Sequence, residues 1–436
     1  VDIRQKELLI TSFGLFSLFF GAGNLLIPPL LGYQAGESWF LVTLGFMITA
    51  VVIPILGILA HARLQGTLFD FGKKVSKSFS IVYCILIYLI AVAIPSPRTA
   101  VATHEIAVFP TFGTTPLLTS TVYFSLVLVF VLNRTKILNI IGKFLTPFIV
   151  ILLLAVIGIA LMSSEFSTGE ALSKTPMITG FIEGYQTFDA IASVVVGAVI
   201  IVSINFDNMA VEAYGSKRTL IRKSGFIAGL GLFVIYAGLI AVGAYYSSDI
   251  AIDTGLSNDM QRAHLLRGIS ISSLGEFGNA VLSVLIALAC LTTAIGIVAG
   301  AADYFKGLFH NSQRVYVIMA VLACVCGVIV GQLDFKAIIQ VGIPVLLFIY
   351  PITIILILLN ILSEKWATPL VFRGVVMVTV LFSIPDVLGF LSPSEGVSKL
   401  ISLIPLAQYS LGWVLPALCT FFLISGLRVL GRSSEA

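Results

Sequence analysis

Apolar runs long enough to cross a lipid bilayer recur from one end of this chain to the other, and no polar stretch between them exceeds about 20 residues. A chain built this way lives in a bilayer, where hydrocarbon offers its backbone no hydrogen-bond partners and helices supply them internally. A spanning helix needs ~20 apolar residues, and these runs supply them. Only 11% of the 436 residues are charged, where soluble domains carry about 25%. Twelve candidate helices follow, at roughly 7–33, 38–61, 78–103, 117–133, 138–162, 182–205, 224–247, 276–303, 315–332, 337–362, 368–390 and 404–427. The first run is too long for a cleavable signal peptide and lacks a small-residue cleavage site. No soluble domain is expected.

Lys and Arg accumulate on the cytoplasmic side of membrane helices. With the N-terminus inside, nineteen of the 25 basic residues fall in inner segments, among them Lys217, Arg218, Arg222 and Lys223 of the Ser216–Ser224 loop. Six fall outside: Arg98, Lys174, Arg262, Arg267, Lys336 and Lys399. Both termini are therefore expected in the cytoplasm. The net charge of +4 comes from basic loops and not from a nucleic-acid-binding face. The five cysteines lie inside apolar segments without a CxxC pair and read as small hydrophobes.

One of these runs is built against its own helix. FFGAGNLLIPP, Phe19 to Pro29, places two glycines, an asparagine and two prolines at the centre of the first span. Small residues also serve close helix packing. A dinucleotide fingerprint does not fit, since a third glycine, a preceding strand and a downstream acid are missing. The remaining reading is an unwound helix, tolerated in a membrane only where it lines a cavity or is buried in protein. Secondary transporters use such breaks as sites: freed carbonyls suit a cation or an ammonium, and freed amides suit a carboxylate. A second break belongs at the corresponding place of the other half. With a repeat of five helices that place is the sixth helix, where GYQTFDAIASVVVG carries Gln186, Thr187, Asp189 and Ser193. An odd repeat inverts, dividing the chain into 7–162, an inverted 182–362, and two further helices at 368–427.

FGAGNLLIPP, PSPRTA (Pro95 to Ala100), IGKFLTPFIVILLL and GYQTFDAIAS together resemble the bacterial branched-chain amino acid carriers, the BrnQ-type or LIVCS family of branched-chain amino acid:cation symporters. The chain departs from the family at Ser96, reading AIPSPRTA where members more often read AIPRTA. The resemblance spans essentially the whole chain. It implies the leucine-transporter fold, an all-helical protein of the bacterial plasma membrane, and uptake of leucine, isoleucine and valine driven by sodium or protons. It further implies that amides around Ala22, Gly23, Asn24 and Leu25, beside Gly21, meet the substrate carboxylate. Carbonyls near Phe20 and Ala22, with those of Gln186, Thr187 and Phe188, would meet the ammonium. For sodium it implies the Thr292 and Thr293 hydroxyls with the carbonyls of Ala289, Ser17 and Phe20. No cofactor or obligate protein partner is implied.

A Thr-Thr pair in a membrane helix also commonly bonds back to its own backbone. Charges inside spans are costly and usually functional. Asp189 is placed to face the outer loop, to cap the half-helix or to take part in coupling. Arg98 is placed to pair with Asp189 or Glu105. His104 and Glu105 are expected in solvent, His61 and His310 at cytoplasmic boundaries, and Asp386 as a helix cap beside Pro385. The run from Phe144 to Leu161 holds no lysine to replace a coupling ion, which favours sodium and leaves Asp189 as the proton alternative. Four scattered histidines, with neither HExxH nor GxSxG, argue against an enzyme. A channel would call for oligomeric rings of carbonyls or acids.

Overall fold

Backbone polar groups in hydrocarbon must pair within the protein, and every regular element of the computed structural model is helical among the residues it describes. Those residues are 3–133, 141–164, 167–206, 214–253, 255, 258–333, 335–392 and 394–433. In chain order the α-helices are α1 (Ile3–Phe19), α2 (Ala22–Ala35), α3 (Trp39–Met47), α4 (Ile53–Leu64), α5 (Leu68–Gly72), α6 (Lys77–Ala93), α7 (Pro95–Ala102) and α8 (Phe109–Phe112). Then come α9 (Pro116–Leu132), α10 (Thr146–Ser163), α11 (Pro176–Glu183), α12 (Asp189–Phe206), α13 (Tyr214–Tyr245) and α14 (Asn258–Leu274). The last are α15 (Glu276–Leu308), α16 (Gln313–Val330), α17 (Phe335–Ile361), α18 (Pro369–Leu391), α19 (Glu395–Leu403) and α20 (Val414–Ser433).

Among the described residues eight helical stretches are long and apolar enough to cross a membrane. Several expected boundaries shift for identifiable reasons. The first span is not one helix over 7–33 but two, α1 and α2. Pro28 and Pro29 do not end α2; both lie inside it. The third span runs past 103 through a π-helical turn, Thr103–Val108, to Phe112. The Ser216–Ser224 segment is no loop but the first turns of α13. The twelfth span starts at Val414, because residues 404–413 are taken up by turns, including the short 3₁₀ segment Ala407–Tyr409. Helices α14 and α19 were not expected. The start of the fifth span, and Arg134 and Lys136 just before it, lie outside the described residues.

Two buried histidines find hydrogen-bond partners, and for His104 the sequence suggested solvent. His61 is fully buried, with Nε2 2.8 Å from the Val194 carbonyl and Nδ1 3.2 Å from that of Gly66. His104 is also buried and meets Thr119 Oγ1 at 2.9 Å. Glu105 is exposed, as expected. Asp386 lies inside α18 and caps nothing.

Two helix pairs approach with backbone against backbone. A side chain at Gly32 of α2 would strike the Ile240 carbonyl of α13, and one at Gly243 of α13 would strike the Pro29 carbonyl of α2. In the second pair, Gly180 of α11 faces the Val42 carbonyl of α3, and Gly45 of α3 faces that of Met177 in α11. Small residues at such crossings let membrane helices gain dispersion contacts that larger side chains would block. The pairs anchor α2 and α11, the segments that follow and precede the two breaks.

Candidate functional site

The first break is short. Helix α1 stops at Phe19, Gly21 is extended (φ −115, ψ −165), and α2 begins at Ala22. Asn24 closes the new N-terminus by accepting the Gly21 N–H on its Oδ1 at 3.1 Å. The Leu25 N–H already bonds the Gly21 carbonyl at 3.3 Å. The first-turn amides available to a ligand are thus those of Ala22, Gly23 and Asn24, since such groups have no partner within their helix. Leu25, expected in that set, is spent on the helix.

The second break lies between α11 and α12. Residues Gly184–Thr187 form a 3₁₀ turn, and Phe188 adopts a left-handed conformation at φ 63, uncommon for any residue but glycine. Thr187 Oγ1 donates to the Gly184 carbonyl at 2.8 Å and accepts the Asp189 N–H at 3.3 Å, so it caps both sides of the kink. Arg98 of α7, buried, donates from Nη1 to the Gln186 carbonyl at 2.9 Å.

The two breaks meet. A Cβ at Gly23 would stand 3.3 Å from the Gln186 carbonyl. Asn24 Nδ2 donates to Asp189 Oδ2 at 2.7 Å and also to the Tyr236 hydroxyl of α13. Tyr236 in turn donates to the same Asp189 oxygen at 3.2 Å. Asp189 therefore does not face an outer loop: it is 0% exposed, and its Oδ1 has no hydrogen-bond partner. Tyr350 of α17 accepts the Ala190 N–H at 3.1 Å, holding the first turn of α12.

One hollow opens between the breaks. Gly21, Ala22, Gly23, Asn24, Thr187, Phe188, Asp189 and Thr293 all line it, together with Arg98 and an apolar wall that includes Ala91, Ile191, Val195 and Ile297. Phe20, Leu25 and Gln186 do not line it. Phe20 stacks on Tyr236 with ring centroids 6.1 Å apart, and the Gln186 side chain accepts from Arg262 of α14 at 3.2 and 3.3 Å.

Beside the hollow, Thr292 Oγ1 stands 3.0 Å from the Ser17 carbonyl of α1 and 3.0 Å from the Ala289 carbonyl of its own helix. Thr292 is thus both back-bonded and bridging. The Ser17 and Thr293 hydroxyls are buried without a hydrogen-bond partner. This group of hard oxygens, with two hydroxyls left over, has the chemistry an alkali cation requires.

Tyr236, Glu183 and Arg262 were missed. Tyr236 stands alone in an apolar run and Arg262 reads as an ordinary loop charge, so neither carries a linear signal.

A family model described as branched-chain amino acid transport protein matches residues 4–429. The chain belongs to that family. It is similar to the branched-chain amino acid transport system 2 carrier protein of Pseudomonas aeruginosa, at 33% identity over 444 residues covering 100% of this chain and 99% of the relative. It is a multi-pass membrane transporter and not an enzyme. Among solved structures it is similar to Mhp1, a nucleobase-cation-symport-1 family transporter, with a TM-score of 0.59 and 12% identity. That likeness covers 98% of this chain and 93% of Mhp1. MhsT in complex with L-phenylalanine follows at 0.53 and 16% identity, covering 95% and 97%. At such identities the likeness speaks for the fold alone, that of the leucine-transporter-like carriers.

Proposed function

We propose that this carrier imports leucine, isoleucine and valine across the bacterial plasma membrane by alternating access, coupled to a sodium gradient, with both termini in the cytoplasm. The observation that carries the reading is the meeting of two helix breaks in one buried hollow with a polar end and an aliphatic wall. The α2 first turn offers amides and a positive helix end to a carboxylate. The wall of Ala91, Ile191, Val195 and Ile297 suits a branched aliphatic side chain. The P. aeruginosa relative is named as a carrier of this substrate class.

Twelve crossings arranged as two inverted repeats of five, 7–162 and 182–362, with two more helices at 368–427, accompany this reading. What supports the repeat is the placement of the two helix breaks, Gly21 within the first span and Gly184–Phe188 within the sixth, five spans apart. Sodium is supported by the oxygens of Ser17, Ala289, Thr292 and Thr293. Proton coupling through Asp189 is the second reading, favoured by a buried carboxyl group at the junction of the breaks.

Leucine counterflow by the purified protein in proteoliposomes, under sodium and then proton gradients, tests both. Saturable uptake driven by sodium alone is expected. Unsaturable flux would overturn the carrier reading, and uptake driven by protons without sodium would give Asp189 the role.

A further inference from the structure

Several carbonyls at the two breaks, where a substrate ammonium is expected, already accept a hydrogen bond. That of Gln186 accepts Arg98, that of Phe188 accepts the Ala192 N–H at 2.8 Å, and that of Gly21 accepts Leu25. An ammonium brings three donors and a full charge into a site cut off from bulk water, and such a charge needs a charged or strongly polar acceptor. Among the described residues that line the hollow, one combines full burial, a carboxyl group and an open lone pair.

Asp189 fits that description. Its Oδ2 is saturated: Asn24 Nδ2 donates one hydrogen to it and its other hydrogen to Tyr236, and the Tyr236 hydroxyl donates to it as well. The closed triangle of three side chains leaves Oδ1 without a partner, on a residue that lines the hollow. Asn24 also fixes the distance between the two ends of a ligand. Its backbone sits in the first turn of α2, where a carboxylate would bind, while its side chain holds the Asp189 carboxyl group. In an α-amino acid both charged groups hang from one carbon, so their partners must lie within a single ligand head of each other.

We infer that Asp189 Oδ1 receives the α-ammonium of the transported amino acid, with Asn24 and Tyr236 acting as positioning residues that aim it. The inference rests on the amino-acid carrier reading above and adds to it a chemical requirement: the ligand must bear an unsubstituted α-ammonium. Arg98 plays the supporting part, tying the Gln186 carbonyl and keeping the second break in register with the first.

The test uses the full-length protein in detergent or liposomes, with leucine and 4-methylpentanoate, the same carbon skeleton without the ammonium. Asp189→Asn is close to isosteric. Its amide oxygen can keep both donors now on Oδ2, which turns its NH2 toward the hollow in place of Oδ1. Leucine affinity is expected to fall about 10- to 100-fold, the size of a lost charge-assisted hydrogen bond, while 4-methylpentanoate affinity does not fall. The sodium concentration for half-maximal activation of residual leucine uptake is expected to be unchanged. Should Asp189→Asn not reach the membrane, Asp189→Glu keeps the charge on a longer arm, and is expected to bind leucine less tightly yet still prefer it to 4-methylpentanoate. A variant that keeps the wild-type ratio of leucine to 4-methylpentanoate affinity overturns the inference, as does one that loses only its ion dependence. Failure of the unsubstituted protein to bind leucine is a separate readout, and would remove the carrier reading itself.

Discussion

Arg262 of α14 donates from Nη2 to Glu183 Oε2 at 2.6 Å, and the same guanidinium reaches Gln186 Oε1. A helix that no apolar pattern announced is thereby strapped across the end of the second break. The Arg262 side chain is 3% exposed and that of Glu183 21%, so the pair is only partly open to the screening that makes surface ion pairs weak.

Releasing that strap should loosen access from this face. In Arg262→Gln, a cysteine introduced at Thr187 is expected to react with a membrane-impermeant thiol reagent about tenfold faster than in the parent, in the absence of substrate. An unchanged labelling rate would mean that α14 is held by its packing alone.

At Gly23 the two breaks come close enough that a Cβ would stand 3.3 Å from the Gln186 carbonyl. Gly23→Leu is expected to abolish leucine transport while leaving membrane abundance near that of the parent, because its side chain must displace the 184–188 turn or fill the hollow. Leucine uptake with unchanged affinity would remove the substrate from this site.

The two threonines should separate by their present partners. Thr292→Val loses a hydroxyl already bonded to Ser17 and Ala289, and Thr293→Val loses one with no partner. Both are expected to raise the sodium concentration needed for half-maximal leucine uptake, by roughly tenfold or more. Thr293→Val should cost the sodium-free protein less stability, read as thermal unfolding in detergent. Sodium activation that ignores both substitutions would point away from this cluster.

The glycine crossings predict a sharp contrast in stability. Gly32→Leu or Gly180→Leu places a side chain into a neighbouring backbone carbonyl and is expected to cost ~3 kcal/mol or more. Gly158→Ala in α10, where nothing lies within 4 Å, should be neutral or stabilising by up to ~1 kcal/mol. Thermal unfolding of the four proteins side by side decides it.

Orientation is tested by cysteines placed at Lys73 and Ser248, both exposed. Impermeant reagent added outside intact cells should label Ser248→Cys and spare Lys73→Cys. The reverse would invert every loop and with it the direction assigned to the hollow.

Much of this architecture is legible along the chain because membrane solvation is a one-dimensional constraint. A run of ~20 apolar residues must form a span wherever it goes, and Gly21, Gly23 and Phe188-flanking polar residues weaken a helix whatever surrounds it. Family motifs such as FGAGNLLIPP extend the reading to the substrate class. The partners of the charges were not legible. Asp189 reads equally well as a loop acid, a cap or a coupling group until Asn24, 165 positions away, and Tyr236 of a third helix are brought to one of its oxygens and leave the other bare. Leu25 looks like part of the carboxylate site until its N–H is seen to be taken by Gly21. Helices α14 and α19 escape a reading based on apolar length, since helices outside the spans need not be long or uniformly apolar. Solvation acts on each residue separately and is written in the order of the chain, whereas hydrogen bonds and close approaches are properties of pairs that exist only once distant segments have packed.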